Sequence, residues 1–248
     1  MGELRGKVVL ITGASGGIGS KMSINFAEAG ARVILGYNNN PTAATELCAS
    51  LRGEGHIVRH IPILDSQRLV DLAIEIESQI GRLDVLINNA GVTKVVSHKN
   101  LNDLEDSDID RIFATNFRGS FACVRAFQAL LAANGEGLVI NISSIAGTTA
   151  VGSSVAYCAS KAAINSMTMS LGRALAPSIR VVAVAPGWVE GEYASRADPD
   201  YLQEQINRTP LGRIATANDV ANTAVALATN MHFVTGCVIP VDGGRPLN

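Results

Sequence analysis

The sequence predicts an α/β protein: a parallel sheet with helices packed against both faces. Three observations carry that prediction. Short β-rich runs alternate with longer helix-compatible segments from one end of the 248 residues to the other. Several of these runs are near-continuous aliphatic stretches, as in Val8-Val9-Leu10-Ile11, and not alternating patterns; strands buried on both faces read this way. The first strand also runs through a glycine-rich turn directly into a helix, the join from which βαβ units are built.

The elements follow in order. Lys7–Ile11 is a strand, and Ile18–Ala29 has helical periodicity. Arg32–Leu35 is the second strand, followed by a helix starting near Thr42, just after Pro41, whose fixed φ suits a helix start. Strands at Ile57–Ile63, Asp84–Asn88, Gly137–Ile142, Ile179–Ala185 and Val238–Val241 complete the set. Helices occupy Gln67–Ile80, Ser107–Ala133, Ser154–Ala176 and Ala217–Ala228. The stretch Trp188–Arg213 lacks strand character, holds Pro199 and Pro210, and has one short helical segment, Pro199–Asn207. Loops of that length in compact domains are usually functional lids. Without repeats or a Pro/Ser-rich linker, 1–248 reads as one domain with a substrate flap at about 188–213.

Composition narrows the function. A net charge of −2 provides no cationic field for a polyanion, and 4% aromatic residues provide no stacking platform, so nucleic acid is not expected as a partner. No apolar run approaches the roughly 20 residues a membrane helix needs. The N-terminus has no cationic and apolar leader, and the expected location is the cytoplasm. Cys48, Cys123, Cys158 and Cys237 are widely separated and read as free thiols. His56, His60, His98 and His232 lack ligand spacing, so no metal site is expected.

The turn Thr12-Gly13-Ala14-Ser15-Gly16-Gly17-Ile18-Gly19 has the chemistry of a phosphate cradle. Glycines let the backbone approach a pyrophosphate, and the helix N-terminus offers unpaired N–H groups and a favourable dipole. Dinucleotide binding is the leading reading, with S-adenosylmethionine its competitor. Nicotinamide enzymes often end the second strand with an acid for the ribose 2′-hydroxyl. Eighteen residues after Gly19 that position is Tyr37, and no carboxylate follows until Glu46. Asn38 and Asn39, with Ser15, can donate to a 2′-phosphate, so the balance tips toward NADP(H) over NAD(H).

Tyr157 and Lys161 stand one helical turn apart and share a helix face. A phenol with an ordinary pKa of about 10 transfers protons poorly at neutral pH, and a cation one turn away stabilises its phenolate.

Together these features resemble the short-chain dehydrogenase/reductase family over essentially the whole chain. Asn88-Asn89-Ala90-Gly91, Thr115-Asn116-Phe117-Arg118-Gly119, Asn141-Ile142-Ser143-Ser144, Pro186-Gly187, Val234-Thr235-Gly236 and Val241-Asp242-Gly243-Gly244 stand in the family's order. Among its branches the closest pattern is the 3-oxoacyl-carrier-protein reductase. The resemblance implies a Rossmann-type doubly wound sheet of about seven strands in order 3-2-1-4-5-6-7. It also implies an NAD(P)-dependent oxidoreductase that interconverts a carbonyl and a secondary alcohol by hydride transfer. The catalytic residues are then Asn116, Ser144, Tyr157 and Lys161: Tyr157 as general acid/base, Lys161 lowering its pKa and holding ribose hydroxyls, Ser144 on the substrate oxygen, Asn116 anchoring a water. Ser143 lies one residue off the spacing to Tyr157, which on a strand is the wrong face.

Cofactor contacts implied by the family are Gly13, Ser15, Gly17, Ile18, Gly19, Tyr37, Asn38, Asn39, Asp65, Asn89, Ala90, Gly91, Tyr157, Lys161, Pro186, Gly187 and Val189. Asp65 would reach the adenine, although it also reads as a helix N-cap. Where the family often carries a carboxamide-binding threonine this chain has Gly191, leaving the Val189 backbone for that contact. Trp188 joins Ser144 and Tyr157 as a substrate contact, or packs as a hinge. The partner is then a small carbonyl or alcohol, in one version a 3-oxoacyl thioester; other small alcohols, sugars, quinones and steroids remain alternatives. A non-catalytic dinucleotide sensor is the alternative of another class, disfavoured because all four catalytic residues are kept. The family commonly forms homotetramers or homodimers through the two long helices and the last strand.

Overall fold

The computed structural model describes residues 4–191, 194 and 198–247. Its aliphatic runs become β1 (Val8–Ile11), β2 (Arg32–Tyr37), β3 (Ile57–His60), β4 (Val85–Asn88), β5 (Gly137–Ile142), β6 (Ile179–Pro186) and β7 (Cys237–Val241). They form one sheet in the order β3-β2-β1-β4-β5-β6-β7, with every pairing parallel. The helices are α1 (Gly17–Glu28), α2 (Pro41–Ser50), α3 (Ser66–Ile80), α4 (Asp106–Phe113), α5 (Ser120–Ala132), α6 (Ala146–Thr149), α7 (Val155–Ala174), α8 (Pro199–Asn207) and α9 (Ala217–Thr229).

The period-2 alternation of the strands divides the core into two layers. Val9, Ile11, Val33, Leu35, Ile87, Ile140 and Val184 pack with Met22 and Phe26 of α1 and with Val220, Ala224 and Leu227 of α9. Val8, Leu10, Ile34, Leu86, Val139 and Val181 pack on the other face with Leu69, Leu72 and Ile76 of α3 and Phe127 and Leu131 of α5. Helices cover both faces, which is why β1, β4 and β5 are buried along their whole length.

Two elements depart from the sequence expectation. Strand β3 stops at His60 instead of Ile63, because its partner β2 ends at Tyr37, the register mate of His60, and Ile61 N makes the last ladder bond to the Tyr37 carbonyl at 2.8 Å. The expected helix Ser107–Ala133 is interrupted by a π-turn, Ala114–Gly119, between α4 and α5. From the first residue of α5 the Ser120 hydroxyl donates back into that turn, to the Asn116 carbonyl at 2.8 Å. Gly119 lies so close to Ile63 that an added Cβ would stand 2.8 Å from its Cδ1. Such widened turns recur at functional sites, and this one carries Asn116.

All the strands run the same way, so their carboxyl ends share one edge of the sheet. The loops leaving β1, β4, β5 and β6 there carry most of the expected site residues. Part of the expected flap, residues 192–193 and 195–197, lies outside the described residues. The flap's near side is fixed by a bridge between Val189 and Ala215.

Candidate active site

The glycine turn keeps its backbone open. Gly13 has φ +62°, a left-handed conformation that suits glycine. A Cβ on Gly19 would collide with the Gly13 carbonyl at 2.3 Å and with Asn89 Nδ2 at 2.7 Å. Gly17, by contrast, faces open space. The N-cap of α1, Gly16, supplies no side-chain acceptor, and the first turn holds no acid. Helices α2, α3, α7, α8 and α9 are each capped by a side chain: Asn40, Asp65, Ser154, Asp198 and Thr216 respectively. The first N–H groups of α1 are thus presented without a protein acceptor from the cap, the arrangement a pyrophosphate requires.

Thr12 and Asn89 lock this cradle to the end of β4. Thr12 Oγ1 accepts from the Asn89 and Ala90 N–H groups, both at 3.0 Å. Asn89 Nδ2 donates to the carbonyls of Thr12 at 3.0 Å and Gly13 at 2.9 Å. The sequence reading named Asn89 and Ala90 but missed Thr12, which is 2% exposed. A hydroxyl inside an aliphatic strand end was the available signal.

At the rim of the cradle Tyr37 is half-buried, its ring 5.4 Å from that of His60 in the paired strand. Asn38 and Asn39 are exposed and hydrogen-bonded to one another, and Ser15 is half-buried. No carboxylate stands at the end of β2. Asp65 is exposed and acts as the N-cap of α3, accepting from Arg68 N at 3.0 Å.

The candidate proton-transfer residues come from β5, the π-turn and α7. Ser154 caps α7 by accepting from Tyr157 N at 3.2 Å, which places Tyr157 in the first turn, where the helix dipole favours an anion. Lys161 follows one turn later with its Nζ 5.6 Å from the Tyr157 ring centroid. Lys161 is 7% exposed, and its Nζ donates to the Ile142 carbonyl at 2.8 Å. Among the described residues it has no carboxylate partner, and burial pushes the ammonium down to about 8. Ser144 is half-buried beyond the end of β5, its Oγ accepting from Ala146 N at 3.2 Å.

Ser143 faces the opposite way: it is 3% exposed and donates to Asn165 Oδ1 at 2.6 Å. Asn116, 2% exposed, spends both amide protons on protein, on Val92 O and Ser160 Oγ at 3.0 Å each, while Oδ1 accepts from Val92 N at 2.8 Å. A Cβ on Gly91 would lie 3.3 Å from Asn116 Oδ1 and 3.8 Å from Lys161 Nζ, so the loop after β4 closes over both.

The remaining expected contacts lie at the same edge. Pro186 ends β6, and Gly187 packs on Asp242, where a Cβ would stand 3.0 Å from the Asp242 Cβ. Trp188 and Tyr201 of α8 meet edge to face at 5.5 Å, and the Trp188 carbonyl accepts from Ala215 N at 2.8 Å. Trp188 thereby links the cofactor loop to the flap helix. Asn88 stays inside the sheet, donating to Asn141 Oδ1 at 2.9 Å. The four cysteines are free, with the Cys158 thiol next to Tyr157 pushed up by burial.

A family model described as enoyl-(acyl carrier protein) reductase matches residues 13–245. The chain is 31% identical over 242 residues to the 3-oxoacyl-[acyl-carrier-protein] reductase FabG of Staphylococcus aureus strain Mu50, covering 96% of this chain and 97% of that one. An uncharacterized oxidoreductase of Thermotoga maritima is 33% identical over 252 residues, covering 98% of each. Among solved structures, a gluconate 5-dehydrogenase from Burkholderia cenocepacia J2315, in complex with NADP and tartrate, superposes with a TM-score of 0.91 at 28% identity, covering 99% of this chain and 97% of that one. Matched from cradle to last strand, the chain belongs to the short-chain dehydrogenase/reductase family and is an NAD(P)-dependent oxidoreductase acting between a carbonyl and a secondary alcohol.

Proposed function

We propose that the protein is a cytoplasmic, NADPH-preferring reductase of a small carbonyl compound, with a 3-oxoacyl thioester as the first candidate. One observation carries the catalytic part: a buried ammonium without a carboxylate partner, one turn from a tyrosine, at the edge where Ser144 emerges. When bound, the nicotinamide supplies hydride to the carbonyl carbon. Ser144 donates a hydrogen bond to the carbonyl oxygen and fixes it beside Tyr157, a preorganised contact that strengthens as negative charge develops there. Tyr157 gives its phenolic proton to that oxygen. Lys161 and the α7 dipole both stabilise the phenolate left behind. Asn116 holds the β4 loop against Ser160 and so fixes the wall beside Lys161.

The cradle residues Gly13, Ser15, Gly17, Ile18 and Gly19 fit a pyrophosphate. Asn89, Ala90, Gly91, Pro186, Gly187 and the Val189 backbone lie where the nicotinamide half would be held. The absence of an acid at Tyr37 supports the NADP(H) preference, with Asn38 and Asn39 donating to the 2′-phosphate and Asp65 near the adenine. The whole chain acts as one nucleotide-binding domain with its flap over the cleft. Exposed apolar side chains on α5 and α7, Phe121 at 38%, Val155 at 46% and Met169 at 51%, support association into a homotetramer or homodimer.

Arg118 and Arg125 turn onto the start of α3, donating to Leu64 O and Ser66 Oγ. Both acceptors are neutral and both arginines stay exposed and charged, so a carrier-bound thioester stands beside a free thioester or sugar acid among the substrates to test. The test measures NADPH and NADH oxidation with acetoacetyl-CoA and with keto-sugar acids, for the wild type and Tyr157→Phe. Turnover falls about 10²–10⁴-fold in the variant, while NADPH still binds and quenches protein fluorescence. Unchanged turnover in the variant would sink the mechanism.

A further inference from the structure

Ser143 and Asn165 lie outside the chemistry just described, yet they join its two halves. Asn165 is 6% exposed on α7, one turn beyond Lys161, in a helix face that packs against the sheet. An aliphatic residue would fill such a site without a polar atom to satisfy, and Asn165 Nδ2 has no partner among the described residues. Retaining an amide there is costly unless its other end does something specific. That other end, Oδ1, accepts the Ser143 hydroxyl proton at 2.6 Å, and the same hydroxyl lies 3.2 Å from the Lys161 carbonyl.

The last residues of β5 and the loop after it divide the work. The Ile142 carbonyl accepts from Lys161 Nζ at 2.8 Å, Ser143 reaches the Lys161 carbonyl and Asn165, and Ser144 turns to the opposite side toward the cleft. Lys161 is thus tied to the strand at both ends. The ammonium tie is labile, because Nζ is the group that would also hold ribose hydroxyls. The Ser143–Asn165 tie does not involve the ammonium and persists when Nζ turns to a new partner. We infer that Ser143 and Asn165 form a strut that sets the separation between the Ser144 hydroxyl and the Tyr157/Lys161 pair. Both are positioning residues acting through their neighbours. The inference rests on the catalytic reading of Ser144, Tyr157 and Lys161 above. It matters because a displacement of about 1 Å at reacting atoms costs on the order of 10²-fold in rate.

The experiment compares Ser143→Ala, Asn165→Leu, the double variant and Ser143→Thr with the wild type and Tyr157→Phe. The readouts are kcat, the KM for NADPH, the pH profile of kcat and the thermal midpoint. The strut predicts a fall in kcat of about 10–100-fold for Ser143→Ala and Asn165→Leu, with the KM for NADPH within about twofold. It also predicts an altered pH profile, no further loss in the double variant, and recovery in Ser143→Thr, which keeps the donor. If Ser143→Ala and Asn165→Leu lower the thermal midpoint but keep the wild-type kcat and pH profile, the pair only packs the core and the inference fails. Tyr157→Phe separates the two levels. If it retains full turnover, the catalytic reading falls and takes the strut with it. If it is inactive while the strut variants are unimpaired, only the strut is wrong.

Discussion

Asp84 and Lys161 are buried to nearly the same degree, 4% and 7% exposed, at opposite edges of the same sheet, yet their surroundings are unlike. Asp84 sits at the amino edge, where β1 and β4 begin. Its carboxylate accepts from Val8 N at 2.8 Å and from Arg82 Nε and Nη2 at 2.9 and 2.6 Å, with Lys7 Nζ at 3.4 Å. The pairing holds the Arg82 guanidinium above its ordinary range. Lys161, at the carboxyl edge, has one neutral carbonyl at its ammonium and is depressed to about 8. A charge kept for structure is surrounded by its complements. The Lys161 charge, which we propose serves chemistry, is left short of them, and the fold supplies the difference. The same edge holds the N-terminus of α1, a second set of polar groups to which no side chain provides a cap.

The largest effect expected from this contrast is at the amino edge. Asp84→Asn removes the charge shared by Arg82 and Lys7 and weakens the acceptor for Val8 N. The cations left behind are about a third exposed, so the cost is that of the lost charge-assisted hydrogen bonds, about 3 kcal/mol. For a chain of this size that lowers the thermal midpoint by about 10 °C. Activity per folded molecule should stay at the wild-type level, because the site lies at the other end of the strands. Loss of activity in a normally stable variant would break the division between the two edges.

Lys161→Met is expected to do the reverse: abolish turnover and stabilise the fold. A base depressed from 10.5 to about 8 carries a burial cost of about 3 kcal/mol. Losing the hydrogen bond to Ile142 returns about 1 kcal/mol of that, so the variant should gain about 2 kcal/mol at pH 7. The sign with pH follows from proton counts. Between pH 8 and 10.5 the unfolded chain binds a proton at this lysine that the native state has released, so wild-type stability rises with pH across that window. The Met variant lacks this term, and its advantage narrows between pH 8 and 10.5. Urea unfolding at pH 7 and pH 10 measures both. A variant less stable than the wild type at pH 7 would show that the ammonium is compensated after all.

The carboxyl edge was far more legible in the sequence than the amino edge, for a physical reason. Groups serving a ligand must sit at fixed offsets along local elements: Tyr157 and Lys161 four apart on α7, glycines where β1 meets α1, Ser144 where β5 ends. Such offsets survive in the chain as motifs. The Asp84 cluster joins Arg82, two residues away, to Lys7 and Glu136, which the order of the strands alone brings there, and Arg-x-Asp by itself marks nothing. Pairing likewise decided the end of β3, which stops where β2 ends. The π-turn was missed because a helix that gains one residue per turn keeps nearly the same composition. Asn165 escaped for the same reason, since a polar residue on a helix reads as solvated until the partner strand is placed.

Asp219 extends the contrast to a partly exposed charge near the flap, and its predicted effect is the smallest. It closes a capping box at the start of α9, accepting from Thr216 N at 2.7 Å while Thr216 Oγ1 accepts from Asp219 N at 3.1 Å. Arg213 binds the same carboxylate at 2.7 and 3.0 Å, and holds it well below the usual carboxylate range, assisted by the Thr216 backbone and hydroxyl. Like Asp84 it is paired. Unlike Asp84 it is 30% exposed and its arginine is 54% exposed, so water already screens the pair. Asp219→Asn keeps an acceptor for the cap and removes the charge, so it should cost only about 1 kcal/mol at pH 7. Because the folded carboxyl is depressed, the stability it contributes is fully present above about pH 4 and is lost as pH falls further. The gap between wild type and variant therefore closes in acid. A gap in urea midpoints that is the same at pH 7 and pH 3 would mean that the cap geometry, and not the charge, holds the start of α9.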